Sequence, residues 1–519
     1  MRSRLVAEQA ADRELDLLWG VATSAYQAEG GYNTPEGPQT NWTWAEAAGD
    51  VEPLGAAAEF WQRHREDFAR CRELGLNAFR LGIEWSRVQP TRSDRPAQPP
   101  RFDLAALDGY GRMLVACRDF GLEPVVTLHH FVHPAWLGAD AWLDPATVPR
   151  FAEYVATAVT HVNRVLTAAG QRPLRYYLTI NEPNMLVFNT YLTGLFPGRA
   201  QRGLTSATRA VGQLLSAHVV AYNLIHDIHR EQGWGEPRVS LNNYCSDLYW
   251  SDKLLLDLLT LRERGVAAGA VVPYLRRRAR EFGQALAQER IPLRRGLASA
   301  AGAVTKWLAH RIGHYRFDTE PLAPFLTCLE ASPRSRVLDY LALDYYDPFL
   351  AHAFRFPVWW DRELAGQAPH LRLLDAVTSK WWDWQVLPRG MHFFCRHYAE
   401  DFGGRAVLIA ENGMAQRRRK DNTASRRGDG MTRSRFLQLH VEEVIAMVRE
   451  GVPLLGYLHW SLFDNYEWGT YTPRFGLFSL DYQRGTERHP VDHHGDPAAH
   501  TYAELVKAAR ALRRVPWRA

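Results

Sequence analysis

The 519-residue chain is predicted to be an α/β protein, a single (β/α)8 barrel domain spanning residues 1–519. Three observations predict it: eight short apolar runs recur along the chain, most of them do not alternate with polar residues, and segments of helical period separate them. A strand covered on both faces in a parallel sheet reads as an unbroken apolar run, whereas a strand with one wet face alternates. Eight strand–helix units in series close into a barrel. No stretch rich in Gly, Pro or Ser is long enough to divide the chain, and barrels with insertions reach this length as one domain.

In order, the runs lie at 17–22, 78–84, 124–129, 175–180, 238–242, 340–345, 406–410 and 454–460. Amphipathic helices are expected at 57–74, 104–120, 148–168, 207–231 and 433–450, where apolar residues recur on one helical face. The largest interval, between the fifth and sixth runs, holds an enlarged basic insertion at about residues 252–336. It contains Arg276-Arg277-Arg278-Ala279-Arg280, Arg294-Arg295 and an apolar stretch at 297–309 broken by Lys306. A solvated helical insertion packed over the barrel is the expectation. The alternative, peripheral membrane contact through it, is open to a basic amphipathic helix but not expected. The run Arg417-Arg418-Arg419-Lys420 reads as an exposed loop.

A net charge of +5 spread over this length is a mild field and excludes a nucleic-acid footprint. Five cysteines, Cys71, Cys117, Cys245, Cys328 and Cys395, are scattered and lack metal-like spacing; they read as reduced core residues of a cytoplasmic protein. The charged stretch from Met1 to Asp16 does not resemble a signal peptide, and no apolar run is long enough for a membrane span. Flat aromatic faces suit sugar rings, and the chain has 18 tryptophans and 21 tyrosines, although most will serve as core residues.

Two glutamates stand at strand ends: Glu182 in Thr179-Ile180-Asn181-Glu182-Pro183-Asn184 and Glu411 in Ile409-Ala410-Glu411-Asn412-Gly413. Each has an alternative reading as part of a turn, since Asn-Gly favours hairpins. Yet the residues before Glu411 are uniformly apolar, and a carboxylate closing a buried strand is costly unless paired. In a barrel, catalytic groups sit at the C-terminal ends of strands, so the fourth and seventh runs would aim both glutamates into one pocket. Two carboxyl groups flanking one bond are the apparatus of glycoside cleavage.

Further motifs surround them. Trp460-Ser461-Leu462-Phe463-Asp464-Asn465-Tyr466-Glu467-Trp468 ends the eighth run and Arg474-Phe475-Gly476-Leu477 follows. Trp19 to Gly30, Phe79-Arg80-Leu81-Gly82-Ile83-Glu84-Trp85-Ser86-Arg87 and Thr127-Leu128-His129-His130-Phe131 precede. Together they make the chain resemble glycoside hydrolase family 1, the β-glucosidase and β-galactosidase group, from about Leu17 to Tyr482. The resemblance implies that Glu411 is the nucleophile, Glu182 the acid/base and Asn181 the holder of the sugar 2-hydroxyl. Arg80 and Tyr346 match groups that contact the nucleophile. Gln27, His130, Glu467 and Trp468 match hydroxyl-binding residues, Trp460 a platform under the ring, and Phe475 a residue lining the glycone pocket. It implies a retaining, exo-acting β-glycosidase that hydrolyses a terminal glucose, galactose or fucose unit through a glycosyl-enzyme intermediate. The expected partner is a small-molecule β-glycoside, with no metal and no cofactor, and the oligomeric state stays open. A transglycosidase on the same two carboxylates is the alternative; a non-catalytic sugar-binding barrel is less favoured because both carboxylates are present.

Physics explains these residue types. Arg80 and the Tyr346 hydroxyl would favour an ionised Glu411, while burial and the charge on Glu411 would keep Glu182 protonated until its proton is needed. Trp85, Trp136 and Trp384 read as core or aglycone-side aromatics, His129 as a packed neighbour of His130, and His64, His493 and His494 as structural or exposed. Three departures from the family pattern stand out. Asp344 precedes Tyr345-Tyr346 where the family has Asn, the loop Gly469-Thr470-Tyr471-Thr472-Pro473 is one residue short, and the basic insertion precedes the sixth strand. Trp468, with no Ser/Lys phosphate contacts, argues against a 6-phosphoglycosidase.

Overall fold

The computed structural model describes residues 17–91, 99–357, 373, 376–419 and 421–510. Eight parallel strands close into a barrel: β1 (Leu18–Ala22), β2 (Ala78–Gly82), β3 (Glu123–Thr127), β4 (Tyr176–Asn181), β5 (Arg238–Tyr244), β6 (Leu341–Tyr345), β7 (Val407–Asn412) and β8 (Leu454–Trp460). β1 pairs with β2 on one side and β8 on the other, with Leu18 opposite Gly456 and Ala22 opposite Trp460. The unbroken apolarity of the runs resolves into two cores. Trp19, Phe79, Val126, Tyr177, Val239, Leu343, Ile409 and Tyr457 face outward into the layer between strands and helices. Leu18, Ala22, Ala78, Val125, Leu178, Ala342, Leu408 and Leu458 fill the lumen.

The strands are followed by α1 (Phe60–Glu73), α2 (Leu104–Asp119), α3 (Thr147–Ala168), α4 (Leu204–Glu231), α5 (Val271–Gln288), α6 (Leu297–Arg316), α7 (Ala323–Ala331), α8 (Pro388–Asp401), α9 (Arg433–Glu450) and α10 (Ala498–Arg510). Local chemistry sets several ends. Asp103 caps α2 by accepting from the Ala106 amide, and Thr432 caps α9 by accepting from the Arg435 amide. Gly451 closes α9 in the left-handed conformation at φ 84°, a geometry that costs other residues a Cβ clash.

Three pairings slip by a residue near the C-terminal ends of the strands. Leu178 and Asn181 of β4 face Ser240 and Asn242 of β5; Leu343 and Asp344 of β6 face Ile409 and Glu411 of β7; and β7 slips again against β8 between Ile409 and Asn412. A bulge interrupts strict alternation and re-aims the side chains beyond it. In β7 the lumen-facing Ala410 is followed directly by Glu411, which also reaches Arg80 in the lumen. The strand therefore runs past the predicted 406–410 to include Glu411 and Asn412.

Helices α5, α6 and α7 occupy the interval between β5 and β6. α6 packs on the turns Tyr249–Ser251 and Leu350–His352 that follow β5 and β6. Its outer face is exposed and carries large apolar residues together with arginines. The basic run at 417–420 differs from an exposed loop. Arg417 and Arg418 are half-buried, Arg418 pairs with Glu52 at 3.0 Å, and Arg417 lies over the Trp382 ring at 5.3 Å. Lys420 lies outside the described residues. The five cysteines are free, and all but half-buried Cys328 are buried. No helix among the described residues is long and apolar enough to cross a membrane.

The closure between β1 and β8 depends on an absent side chain. A Cβ on Gly456 would sit 2.3 Å from the Leu18 carbonyl oxygen and 2.5 Å from the Leu18 Cβ. Gly456→Val is expected to cost about 1–3 kcal/mol by overpacking, read as a lower thermal midpoint. An unchanged midpoint would show that the seam has room to spare.

Candidate active site

The bulges gather polar groups from six strands at the open C-terminal end of the barrel. Arg80 rises from β2 and is fully buried. Its Nη1 donates to Glu411 Oε1 at 2.6 Å, its Nη2 to Asn181 Oδ1 at 2.5 Å and its Nε to Thr127 Oγ1 at 3.0 Å. The Tyr346 hydroxyl donates to the other Glu411 oxygen at 2.8 Å. Asn242, from β5, donates to Asn181 Oδ1 at 2.5 Å and also to Asp344. The amide oxygen of Asn181 thus accepts from both neighbours, while its Nδ2 is buried with no protein partner.

Glu182 follows β4 in a left-handed conformation, φ 37° and ψ 61°, and Pro183 begins the next helical turn. Such a backbone is unfavourable for a side-chain-bearing residue and recurs at functional sites. It leaves Glu182 in the lumen, where carboxylate oxygens of Glu182, Asp344 and Glu411 lie within 4.8 Å of one another. This is the one grouping of metal-ligand side chains among the described residues, and Arg80 already supplies it with a cation.

The electrostatics separate these carboxyls. Burial pushes Glu182 well above the ordinary carboxylate range, and the negative charges of Asp344 and Glu411 push it further. Asp344 is also displaced well upward, first by burial and then by Glu411. For Glu411 burial again acts upward, but Arg80 and the Tyr346 hydroxyl oppose it. Burial outweighs the stabilisation expected from Arg80 and Tyr346, so Glu411 too ends above its ordinary value.

A second wall is built from the loop after β8. Trp460 Nε1 donates to Glu467 Oε1 at 3.0 Å, and Gln27 Nε2 donates to Glu467 Oε2 at 3.3 Å and to the Tyr466 carbonyl at 2.7 Å. His130 stacks between Trp460, at 5.9 Å between centroids, and Trp468, at 5.5 Å. Phe475 meets Tyr346 edge-on at 5.9 Å, and Trp384 packs against Tyr346 at 5.2 Å. The loop is fastened by Glu52, whose amide donates to the Gly469 carbonyl at 2.8 Å and whose carboxylate accepts from Thr470 Oγ1 at 2.6 Å.

Of the residues anticipated from the sequence, Arg80, Asn181, Glu182, Tyr346 and Glu411 come together at the strand ends. Gln27, His130, Trp460, Glu467 and Trp468 contact one another around the loop after β8, and Phe475 packs on Tyr346. Trp85 and Trp136 pack against each other at 6.2 Å in the core. His129 is buried beside Trp142 at 5.0 Å. Asn242 and Glu52 were not anticipated. Asn242 stands at the end of the fifth run read from the sequence, whereas Glu52 lies in a stretch with no strand-end pattern.

Comparison with known proteins agrees with this geometry. The model of glycosyl hydrolase family 1 matches residues 12–245 and 315–508. β-Glucosidase A of Thermotoga maritima is 25% identical over 500 residues, covering 94% of this chain and 96% of its own. A 6-phospho-β-galactosidase of Clostridium acetobutylicum is 24% identical over 491 residues, covering 90% and 92%. The solved β-glucosidase of Thermotoga maritima in complex with azafagomine superimposes with a TM-score of 0.66 at 22% identity, covering 96% of this chain and 98% of that one. With most of its length matched by the family model, the chain belongs to glycosyl hydrolase family 1 and is an O-glycosyl hydrolase of the β-glucosidase-like kind.

Proposed function

We propose that the chain is a single-domain, retaining, exo-acting β-glycosidase in which Glu411 attacks the sugar and Glu182 manages the proton. The observation that carries this reading is the position of Glu411. It is held by Arg80 at 2.6 Å and Tyr346 at 2.8 Å, with a Glu182 oxygen within 4.8 Å. Retaining enzymes need their carboxyl groups about 5–5.5 Å apart, whereas inverting enzymes separate them by about 6.5–9.5 Å to admit a water.

In the first step a bond forms from a Glu411 oxygen to the anomeric carbon and the bond to the leaving oxygen breaks. Glu182 gives its proton to that oxygen. Esterification removes the charge on Glu411, so Glu182 can then take a proton from water as the water oxygen displaces Glu411. The configuration is inverted twice and so retained. The unpartnered Asn181 Nδ2 suits the sugar 2-hydroxyl, and Gln27, His130, Glu467 and Trp468 suit the remaining hydroxyls above the Trp460 face. A buried carboxylate at Glu467 is a poor neighbour for a phosphate, which favours an unphosphorylated glucose-, galactose- or fucose-type unit. The segment 252–336 reads as a basic insertion of this chain, supported by the family match that leaves 246–314 uncovered.

Asp344 gives the proton machinery its own character. One of its oxygens lies within 4.8 Å of one of Glu182, and its negative charge helps push Glu182 upward. The two titrate as a unit, and the second deprotonation is delayed by the charge left after the first.

Three measurements test these roles. Glu411→Ala should abolish turnover, with azide restoring it to give a product of inverted configuration; full activity on an unactivated disaccharide would remove Glu411 from the mechanism. Glu182→Ala should slow poor leaving groups by about 10²–10⁴-fold and spare activated aryl glycosides; equal losses on both would contradict its role as acid. Asp344→Asn removes a negative charge that raises Glu182, so the basic limb of the kcat/KM profile should move to lower pH. A limb that stays in place would mean that Asp344 does not share the proton.

A further inference from the structure

α6 inverts the usual amphipathic arrangement. Its inward side carries small residues with Lys306 and His310 among them, and is held at two glycines. A Cβ on Gly302 would lie 2.0 Å from the Leu350 carbonyl oxygen, and one on Gly313 would lie 2.4 Å from the Trp250 ring. These close approaches fix the helix rotation, because only glycine lets the backbone come so near. Gly302 is the one residue of the helix that is buried. The large apolar side chains are left on the opposite side: Leu297 is 77% exposed, Val304 56%, Trp307 55%, Leu308 48%, Ile312 46% and Tyr315 64%. Isolated exposed apolar residues need no explanation, but a contiguous ridge along one helix marks an interaction surface.

The charge pattern says what that surface meets. Residues 290–317 contain six Arg or Lys and no Asp or Glu. Lys306 is turned inward to Asp247 at 2.8 Å, while Arg290, Arg294, Arg295, Arg311 and Arg316 are exposed. Arg311 rises within the apolar ridge, its guanidinium 5.1 Å from the Trp307 ring centroid and 5.4 Å from that of Tyr315. Trp, Tyr and snorkelling Arg are the side chains that settle where acyl chains meet headgroups. A second copy of the chain is a poor occupant, because an isologous contact would set these arginines against one another.

We infer that the outward face of α6 docks this protein on a lipid surface bearing anionic headgroups. The helix lies parallel to that surface, its apolar ridge entering the acyl boundary and its arginines meeting the headgroup charge. Because α6 rests on the turns Tyr249–Ser251 and Leu350–His352 after β5 and β6, docking holds the C-terminal end of the barrel, with Glu182 and Glu411, beside the membrane. This goes beyond the glycosidase reading and stands or falls separately from it.

The test is flotation of the full chain with vesicles of phosphatidylcholine containing phosphatidylglycerol, against vesicles of phosphatidylcholine alone. The protein should float with the anionic vesicles only, and less so as salt is raised. The double variant Leu308→Asp/Ile312→Asp should bind about tenfold more weakly or worse, with hydrolysis of a soluble aryl glycoside unchanged. If that variant loses its activity, Arg294→Glu/Arg311→Glu replaces it and should show the same weakening. Failure of the parent chain to float, or equal flotation of parent and variant, overturns the inference. So does a concentration-dependent dimer that the apolar double variant abolishes, since a second copy would then cover the ridge.

Discussion

A single buried guanidinium holds the barrel mouth together. Arg80 starts on β2 and reaches Thr127 at the end of β3, Asn181 at the end of β4 and both Glu411 and the Ala410 carbonyl on β7. Only arginine offers donors in a rigid fork wide enough to serve three strands at once. Deleting one member of such a buried pair leaves an uncompensated charge at a cost of about 3–5 kcal/mol, so this cation matters to the fold as well as to the site. It also bears on the three carboxyls. They lie around one cation in a low-dielectric lumen and cannot all ionise together. Glu411, bonded directly to Arg80, has its upward displacement by burial opposed by Arg80 and Tyr346, whereas Glu182 and Asp344 are displaced well upward.

The barrel was legible because its signal is local and repeated. Unbroken apolar runs at regular strand length, followed by helical periodicity, leave few other architectures, and the observed strands lie within two residues of those runs at most ends. The two glutamates were legible because a carboxylate closing an apolar run is conspicuous. The bulges were not. They depend on which residue of a neighbouring strand stands opposite, and no pattern along one segment encodes that. The fastening of the Glu467 loop by Glu52 was hidden for the same reason, since some four hundred residues of chain separate the partners. The outward ridge of α6 was half legible: its basic and apolar content is plain in the sequence, but its rotation follows from Gly302 against Leu350 and Gly313 against Trp250.

The chain divides its labour between rigid and adaptable parts. Strand ends carry the buried carboxyls, and Glu411 is oriented by Arg80 from across the barrel and by Tyr346 from beyond β6. The loop after β8 carries the wall of Glu467 and Trp468, stiffened by Gln27, by Glu52 and by the stack of His130 between two indoles. Among the described residues, the long segment after β5 makes no hydrogen bond to either glutamate, and the arginines of α6 are exposed.

The slip in register between β6 and β7 has a bearing on how such a chain can change. Ala410 and Glu411 are consecutive yet both serve the lumen, because β7 has one residue more than its partner requires at that point. The inward aim of Glu411 is therefore stored as a count along the strand, an odd or even number, and not as a contact that neighbouring side chains could rebuild. A count of this kind has no intermediate values. A whole series of helices can be added after β5 without altering that parity, while a single residue gained or lost within β7 reverses it. Over evolutionary time, then, length is free to drift in the connections and is frozen in the strands.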